Sequence, residues 1–314
     1  MKTIDIVLPV YNEEPGLPYF HQQLELVMDQ LSETYRFHVL YVLDRSRDNS
    51  FAVLKQMAGT RDNITVLHLS RRFGHQMSLV AGIDHSTGDA LIMMDCDLQH
   101  PPEVIPRLLA KYEEGADVVH AIRTYDVSIG ASKRFTSSLF YAIQNTLSPI
   151  KIEDGAADFR LISQKVVRVF QTSIREQNQF LRGLFQWIGF RSERVTFVSP
   201  QRFAGETKYH FWRLLAFSVL GITTFSKVPL RFATFMGVLM SMLSVGYGMW
   251  LLGYYLLGNE VPAGYTSIIL MIAFIGGLQL LVLGIIGEYL GSIFDEVKGR
   301  PLYIVDDMIS GKHP

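Results

Sequence analysis

The stretch ALIMMDCDLQHPPE, from Ala90 to Glu103, joins five apolar residues to an acidic turn and then to a Pro-Pro-Glu helix start. An apolar run of that length bounded by turn residues reads as a strand buried on both faces, and proline at a first turn opens a helix. The same alternation recurs toward the N-terminus. Ile4 to Leu8, His38 to Leu43 and Ile64 to Leu69 read as strands, while Gly16 to Leu31, Ser50 to Ala58, Gln76 to His85 and Pro102 to Glu114 read as helices. Pro9 is expected to stop the first strand. Strands separated by helices predict an α/β fold with a Rossmann-like, mostly parallel sheet. Ligands of such sheets bind at the C-terminal ends of strands, which directs attention to the loops after Leu8, Leu43 and Met94.

The acidic turn carries the strongest chemical signal. Asp95, Asp97 and Gln99 place two carboxylates and an amide oxygen within five residues at the ligand edge. Hard oxygen donors at that spacing suit Mg²⁺ or Mn²⁺, which would bridge the carboxylates to a diphosphate and neutralise it as a leaving group. Cys96, the only cysteine of the chain, has no partner for an internal disulfide. Its acidic neighbours would raise a thiol pKa, so it reads as a small packing residue and not as a nucleophile.

Working toward the C-terminus, the composition changes. The 314 residues are 48% hydrophobic and 19% charged, with a mean hydropathy of +0.18. The excess is local: between Arg231 and Glu288 the only charged residue is Glu260. The uncharged runs Phe232 to Asn259 and Val261 to Gly287 each exceed the roughly 20 residues that cross a bilayer as a helix. A disordered chain, a disulfide scaffold and a purely cytosolic protein are thereby excluded. Lys227 and Arg231 precede the first span and Lys298 and Arg300 follow the second, while Gly258 to Gly264 has neither Lys nor Arg. Both ends of the hairpin are therefore expected in the cytoplasm. Met1 to Val10 carries Asp5 and Pro9 and has no signal-peptide core, in keeping with a cytoplasmic N-terminal domain.

The net charge of −1 conceals an asymmetry. Residues 1–120 hold 10 Lys and Arg against 17 Asp and Glu, residues 121–231 hold 16 against 7, and the remainder 3 against 6. The basic middle segment lies just before the first span, where cations meet anionic headgroups or a phosphorylated substrate. Basic amphipathic helices are expected at Lys133 to Leu147 and at Phe211 to Phe225, the latter suited to the membrane interface. Arg123, with Lys133 or Arg134, is the candidate contact for a lipid phosphate at that surface. Neither a Gly-x-Gly-x-x-Gly after the first strand nor a P-loop occurs, which disfavours a dehydrogenase and a P-loop nucleotidase.

Together LPVYNEE (8–14), LDRSRDNS (43–50), SRRFGHQMSLVAGIDHSTGD (70–89), DCDLQHPPE (95–103), ADFRL (157–161), RFAGETKY (202–209) and GEYLGSIFDEVKGRPLY (287–303) resemble the family 2 glycosyltransferases of GT-A fold. The likeness is to the membrane-anchored polyprenyl-phosphate glycosyltransferases, the group that includes dolichol-phosphate mannose synthase, and within it to bacterial enzymes with a C-terminal two-helix anchor. It covers nearly the whole chain. The resemblance implies that Pro9, Tyr11 and Glu13 contact the base and ribose of a nucleotide sugar, with Asp44 and the Asp95, Cys96, Asp97 and Gln99 turn completing that site. It implies that Asp158 is the catalytic base, and that Arg202 and Lys208, spaced as Arg-x-x-Gly-x-x-Lys, hold the nucleotide diphosphate from a loop. Where the family usually reads Asp-Asp-Gly-Ser this chain has Leu43, Asp44, Arg45 and Ser46, a departure that bears on donor choice. A phosphate acceptor is already largely a dianion at neutral pH and hardly needs a base, so orienting the acceptor or a basic neighbour is a second role open to Asp158.

The implied organisation is a cytoplasmic GT-A domain over residues 1–209, a juxtamembrane amphipathic segment over 210–230, a transmembrane hairpin over 231–290 with spans near 232–257 and 264–287, and a cytoplasmic tail over 291–314. The implied activity is inverting, metal-dependent transfer of one hexose, glucose foremost, from a UDP-glucose or GDP-mannose type donor to undecaprenyl phosphate at a bacterial inner membrane. The lipid-linked sugar would then be flipped by a separate protein for cell-surface glycan modification. Gly276, Gly277 and Gly284 permit close helix packing and a homo-oligomer; no nucleic-acid partner is expected. Two other readings compete. A processive polysaccharide synthase would carry Gln-x-x-Arg-Trp, for which Gln179 to Arg182 followed by Gly183 is the nearest match, and more spans. An inactive nucleotide-sugar-binding protein is suggested by Leu43 and Arg45.

Overall fold

The computed structural model describes residues 1–124, 156–198, 228–257 and 264–311. Its centre is four strands in parallel: β1 (Lys2–Val10), β2 (Tyr35–Leu43), β3 (Ile64–Leu69) and β4 (Ala90–Met93). Helices α1 (Leu17–Gln30), α2 (Ser50–Thr60) and α3 (His75–Asp84) connect them, and a 3-10 turn (Pro102–Val104) leads from β4 into α4 (Ile105–Glu113). These elements lie within a few residues of those read from the sequence. Three strands, β5 (Val118–Thr124), β6 (Ala156–Ser163) and β7 (Ser192–Val198), extend one side of the sheet, with α5 (Gln164–Thr172) and α6 (Leu181–Trp187) following β6. Strand β8 (Val305–Ser310) closes the other edge, and the spatial order is β7-β5-β6-β4-β1-β2-β3-β8. Strand β6 runs antiparallel to β4 and β5, and β8 antiparallel to β3. The result is a mostly parallel mixed sheet.

Alternation along the strands gives the sheet two apolar faces. Ile4, Ile6 and Leu8 point toward Phe20 and Leu24 of α1 and Leu108 of α4; Val7, Leu40 and Val42 point toward Leu79 and Ile83 of α3 and Val166 of α5. Helix α3 presses so closely on β1 that a Cβ at Gly82 would collide with the Val7 side chain, which is why a glycine stands there. Buried Asp5 accepts from Ser86 Oγ at 2.6 Å and from the backbone N–H of Thr87 and Gly88, both at 2.8 Å. That carboxylate fixes the turn into β4, the strand that carries the acidic motif.

Pro9 does not stop β1, which continues through Val10. The carbonyl of Val7 accepts from Met94 on the β4 side and that of Val10 from Asp44 on the β2 side, so the missing N–H of Pro9 faces β4. The β1–β4 register ends at Val7 and Met93. No ladder hydrogen bond is lost, and the proline is tolerated.

Helices α7 (Val228–Leu256) and α8 (Tyr265–Val297) form the C-terminal hairpin. Both contain segments long and apolar enough to cross a membrane, Val228–Trp250 and Phe274–Val297, and the large apolar side chains on them, such as Phe235, Met242, Leu280 and Leu283, are exposed. Helix α8 continues past the uncharged run through Glu288, Asp295 and Glu296. Its end is tied to the N-terminal domain. Glu296 accepts from the backbone N–H of Gln177 at 2.8 Å, the Gln177 amide donates to the Arg300 carbonyl, and Tyr303 donates to Asp84 at 2.9 Å. Residues 291–314, set apart as a tail in the sequence reading, thus contribute strand β8, which pairs with β3 from Thr65 to Leu69. The expected helices at 133–147 and 211–225 lie outside the described residues.

Candidate active site

Strands β1, β2 and β4 end together, and their loops build one pocket wall. After β1, Asn12 adopts a left-handed conformation (φ 56°), its N–H donates to Ser46 Oγ at 3.0 Å and its Oδ1 accepts from the Arg47 N–H at 2.8 Å. Glu14 and Asn49 add a further tie. These bonds hold the 11–14 loop against the 44–50 loop. Tyr11 is half-buried beneath Arg72, whose guanidinium carbon lies 4.1 Å from the ring centroid, and half-buried Glu13 donates its N–H to Ser50 Oγ at 3.1 Å. Asp44 is buried, and its two oxygens accept the backbone N–H groups of Phe73 at 2.8 Å and Gly74 at 2.9 Å. Both oxygens of the carboxylate expected at base or ribose are engaged in holding the left-handed Gly74 turn (φ 96°) that opens α3.

The acidic turn follows β4. Leu98 is left-handed (φ 64°), an unusual conformation for a residue with a γ-branched side chain. It folds the chain so that the Gln99 N–H donates to Asp97 Oδ1 at 3.1 Å. Arg123, on β5, donates to Gln99 Oε1 at 3.3 Å, so this cation reaches the acidic turn itself. Cys96 corrects one expectation. Its side chain is buried in the core and points its Sγ at the Pro9 carbonyl, 3.5 Å away, so it packs inward while Asp95 and Asp97 flank it; it does not line the site. Burial and the charges of Glu13, Asp95 and Asp97 push its thiol well above the ordinary value.

Asp95 is held by two imidazoles. His75, at the start of α3, donates from Nε2 to Asp95 Oδ1 at 2.7 Å. The backbone N–H of Asp95 donates to His100 Nδ1 at 2.8 Å, which makes Nδ1 an acceptor and His100 neutral; burial lowers its pKa in the same sense. Burial also works to raise the Asp95 carboxyl, but the imidazoles of His100 and His75 outweigh it and hold it well below the usual carboxylate range. With His100 neutral, His75 carries that effect. Burial opposes the charge on His75, yet Asp95 and Asp158 overcome it and push the imidazole up to about 9.

Asp158, on the adjacent strand β6, has different company. Its Oδ1 accepts from Arg182 Nε at 3.0 Å and Arg160 Nη2 at 3.3 Å, and its Oδ2 from Arg182 Nη2 at 2.9 Å. His75 Nδ1 lies 4.0 Å from Oδ2. The carboxylate is 5% exposed; burial would raise it, but Arg182, Arg160 and His75 hold it down to about 2. Arg160 is itself fully buried and stacks on Phe185 at 4.5 Å; burial pulls it down to about 10, still charged at neutral pH.

The structure thus brings Asp95, Asp97, Gln99, Arg123 and Asp158 to one end of the sheet, with Pro9 at the end of β1 and Tyr11 and Glu13 on the loop that follows it. Lys133, Arg134, Arg202 and Lys208 lie outside the described residues. His75, His100, Arg160 and Arg182 escaped the sequence reading. Arg160 stood inside ADFRL, and Arg182 was weighed only as part of a Gln-x-x-Arg match. Among the described residues no three His, Cys, Asp or Glu side chains are gathered for a metal. Two carboxylates and the Gln99 amide suit a hard cation that keeps most of its coordination for substrate and water, as Mg²⁺ and Mn²⁺ do at phosphate sites.

Comparison with known proteins adds a finding to this geometry. Residues 5–170 match the profile of glycosyl transferase family 2. The chain is 41% identical over 306 residues to an uncharacterised glycosyltransferase of Synechocystis sp., covering 97% of this chain and 95% of that protein. It is 38% identical over 303 residues to a prophage bactoprenol glucosyl transferase homolog of Escherichia coli, covering 96% and 98%. With an SfII prophage-derived bactoprenol glucosyl transferase of Shigella flexneri it shares 37% over 302 residues, covering 96% and 97%.

Proposed function

The chain belongs to glycosyl transferase family 2, and from that premise we propose that it transfers one glucose from a nucleotide sugar to undecaprenyl phosphate, with inversion, at the inner face of a bacterial cell membrane. One observation carries this reading. Near full-length similarity to bactoprenol glucosyl transferases extends through a hairpin with an exposed apolar surface whose end is hydrogen-bonded to the catalytic domain. A water-soluble acceptor would give those helices no role.

The nucleotide lies over the 11–14 and 44–50 loops, where Tyr11 and Glu13 offer a ring and a carboxylate to base and ribose and Pro9 shapes the strand end. Asp95, Asp97 and Gln99 hold a divalent cation, Mg²⁺ or Mn²⁺, which when bound neutralises charge on the departing diphosphate. Arg202 and Lys208 clamp that diphosphate. Arg123, with Lys133 or Arg134, draws the acceptor phosphate toward the site. An acceptor oxygen attacks the anomeric carbon opposite the diphosphate, so the sugar changes hands in a single displacement. The basic flanks Lys227, Arg231, Lys298 and Arg300 and the return of the chain into β8 support a cytoplasmic position for the catalytic domain and both hairpin ends. A separate flippase would use the product, and Gly276, Gly277 and Gly284 favour a homo-oligomer.

Incubating membranes that hold the protein with labelled nucleotide sugars tests the reading. Label from UDP-glucose is expected in a chloroform-soluble, mild-acid-labile product. Label confined to water-soluble or polymeric material, whichever donor is supplied, would overturn it.

A further inference from the structure

The uncharged run of α8 ends at Gly287, but the helix continues to Val297, and its last turns change character. Leu290, Ile293, Phe294 and Val297 recur at the i, i+3, i+4, i+7 spacing that lines one helix face. All four side chains are between 56% and 80% exposed. At 3.6 residues per turn this stripe continues the line of Leu283 and Ile286, themselves exposed. Glu288, Ser292, Asp295 and Glu296 fall on the other half of the helix. There the Glu296 carboxylate accepts from the Gln177 N–H at 2.8 Å, so the polar side carries the N-terminal domain and the stripe does not.

The length of the helix says where the stripe lies. Its 33 residues rise about 50 Å, well beyond the roughly 30 Å of hydrocarbon and close to the roughly 40–45 Å of a bilayer with its headgroups once the helix tilts by about 20°. The turns after Gly287 therefore fall in the headgroup layer. The cations agree with that depth. Lys298 places its ammonium over the Phe294 ring, 4.0 Å from the centroid, on the side of the stripe, and exposed Arg300 follows. Aromatic rings and long cationic side chains settle at the boundary between acyl chains and headgroups. A second helix fits the stripe less well, because helices that pack in a membrane approach over small residues, and this face is built of Leu, Ile, Phe and Val.

We propose that the last turns of α8 are a membrane-interface surface: Leu290, Ile293, Phe294 and Val297 lie against lipid in the headgroup layer, while the opposite face holds the N-terminal domain through Glu296. The proposal rests on the membrane-anchored reading above and deepens it. Residues 298–304 alone separate the helix from β8. Left-handed Gly299 (φ 57°) turns the chain off the helix, Leu302 is buried in the core, and Tyr303 is bonded to Asp84. The chain therefore leaves the lipid with no slack, and the sheet that carries Asp95 and Asp97 is held at the membrane surface, where a lipid-borne acceptor arrives.

The test places single nitroxide labels on the full chain in a Cys96→Ala background, reconstituted in vesicles of phosphatidylcholine and an anionic phospholipid. Labels at Leu290→Cys, Phe294→Cys and Val297→Cys are expected to collide with oxygen, which concentrates in lipid, severalfold more than with a water-soluble nickel chelate. Labels at Ser292→Cys and Asp295→Cys should show the reverse. Ile293→Cys stands in should one stripe variant fail to insert. Equal collision ratios around the helix would overturn the proposal, and so would spin–spin broadening between stripe labels that disappears on dilution with unlabelled protein, the sign of a second copy. Protein that does not float with the vesicles would overturn the anchor itself. A wild type that makes no lipid-linked product while the collision pattern holds would overturn the polyprenyl-phosphate reading and leave the lipid contact standing.

Discussion

Asp95 and Asp158 stand on adjacent strands of one sheet and face one site, yet their partners belong to different classes. Asp95 is held by imidazoles: His75 donates to its side chain and neutral His100 accepts from its backbone N–H. Asp158 is clamped by two guanidiniums. An imidazole is a single-point, exchangeable partner that a divalent cation can displace from a carboxylate. Arg160, wholly buried, cannot leave its carboxylate without stranding an uncompensated charge. The difference teaches that carboxylates at the end of one sheet divide into a corner whose partner a cation could displace and a corner built to stay.

Removing a carboxylate from the vacatable corner is the change of largest expected effect. Asp97→Ala should reduce transfer to polyprenyl phosphate roughly a thousand-fold while the protein still inserts in membranes, and chelation of divalent cations in the wild type should do the same. Chloroform-soluble label from the nucleotide sugar measures both. Full turnover after chelation would erase the distinction between the corners.

Stability sharpens the contrast next. Asp158→Asn strands Arg160 beside a neutral amide and should cost about 3 to 5 kcal/mol. Asp95→Asn leaves an imidazole that can lose its proton, and should cost about 1 kcal/mol or less in cation-free buffer. Thermal unfolding of the two variants side by side is the measurement. Equal losses would mean that the two corners are built alike.

What the sequence made legible follows the same division. Strands β1 to β4 and their helices were readable because each is a local pattern, apolar runs for the buried strands and amphipathic stretches for the helices, and Asp95, Asp97 and Gln99 were readable because they share one turn. The partners were not. His75 lies 20 residues from Asp95 and Arg182 lies 24 from Asp158, and only the packing of α3 and α6 at the end of the sheet brings each to its partner. Pro9 read as a strand end because a missing N–H matters only on a paired side, and pairing is invisible to one strand. Strand β8 was missed because VDDMIS alternates weakly, with only Val305 and Ile309 partly covered, and because it follows two apolar helices that seemed to end the fold.

Arg123 is bonded to the acidic turn and gives a smaller effect. Its bond to Gln99 Oε1 at 3.3 Å orients the amide, and outer-shell partners of this kind are worth roughly 10-fold in apparent metal affinity. Arg123→Gln should therefore require about 10 times more Mn²⁺ for half-maximal transfer, as read from a metal titration. An unchanged metal requirement would show that the bond to Gln99 does not tune the metal and would leave Arg123 to the acceptor phosphate alone.

The smallest effect is expected at Cys96, which sits between the two carboxylates of the vacatable corner and yet belongs to neither. Its Sγ faces the Pro9 carbonyl in the core, and burial with the charges of Glu13, Asp95 and Asp97 keeps the thiol protonated. A buried thiol of that kind alkylates slowly, since only the thiolate is nucleophilic. Iodoacetamide at pH 8 should leave the folded protein unmodified and label it on unfolding. Cys96→Ala should change transfer less than about threefold while costing about 1 kcal/mol of stability, the price of a small cavity. Rapid labelling that a nucleotide sugar blocks, or a large loss in transfer without a loss in stability, would place Cys96 in the site and remove the alternation that keeps Asp95 and Asp97 facing outward together.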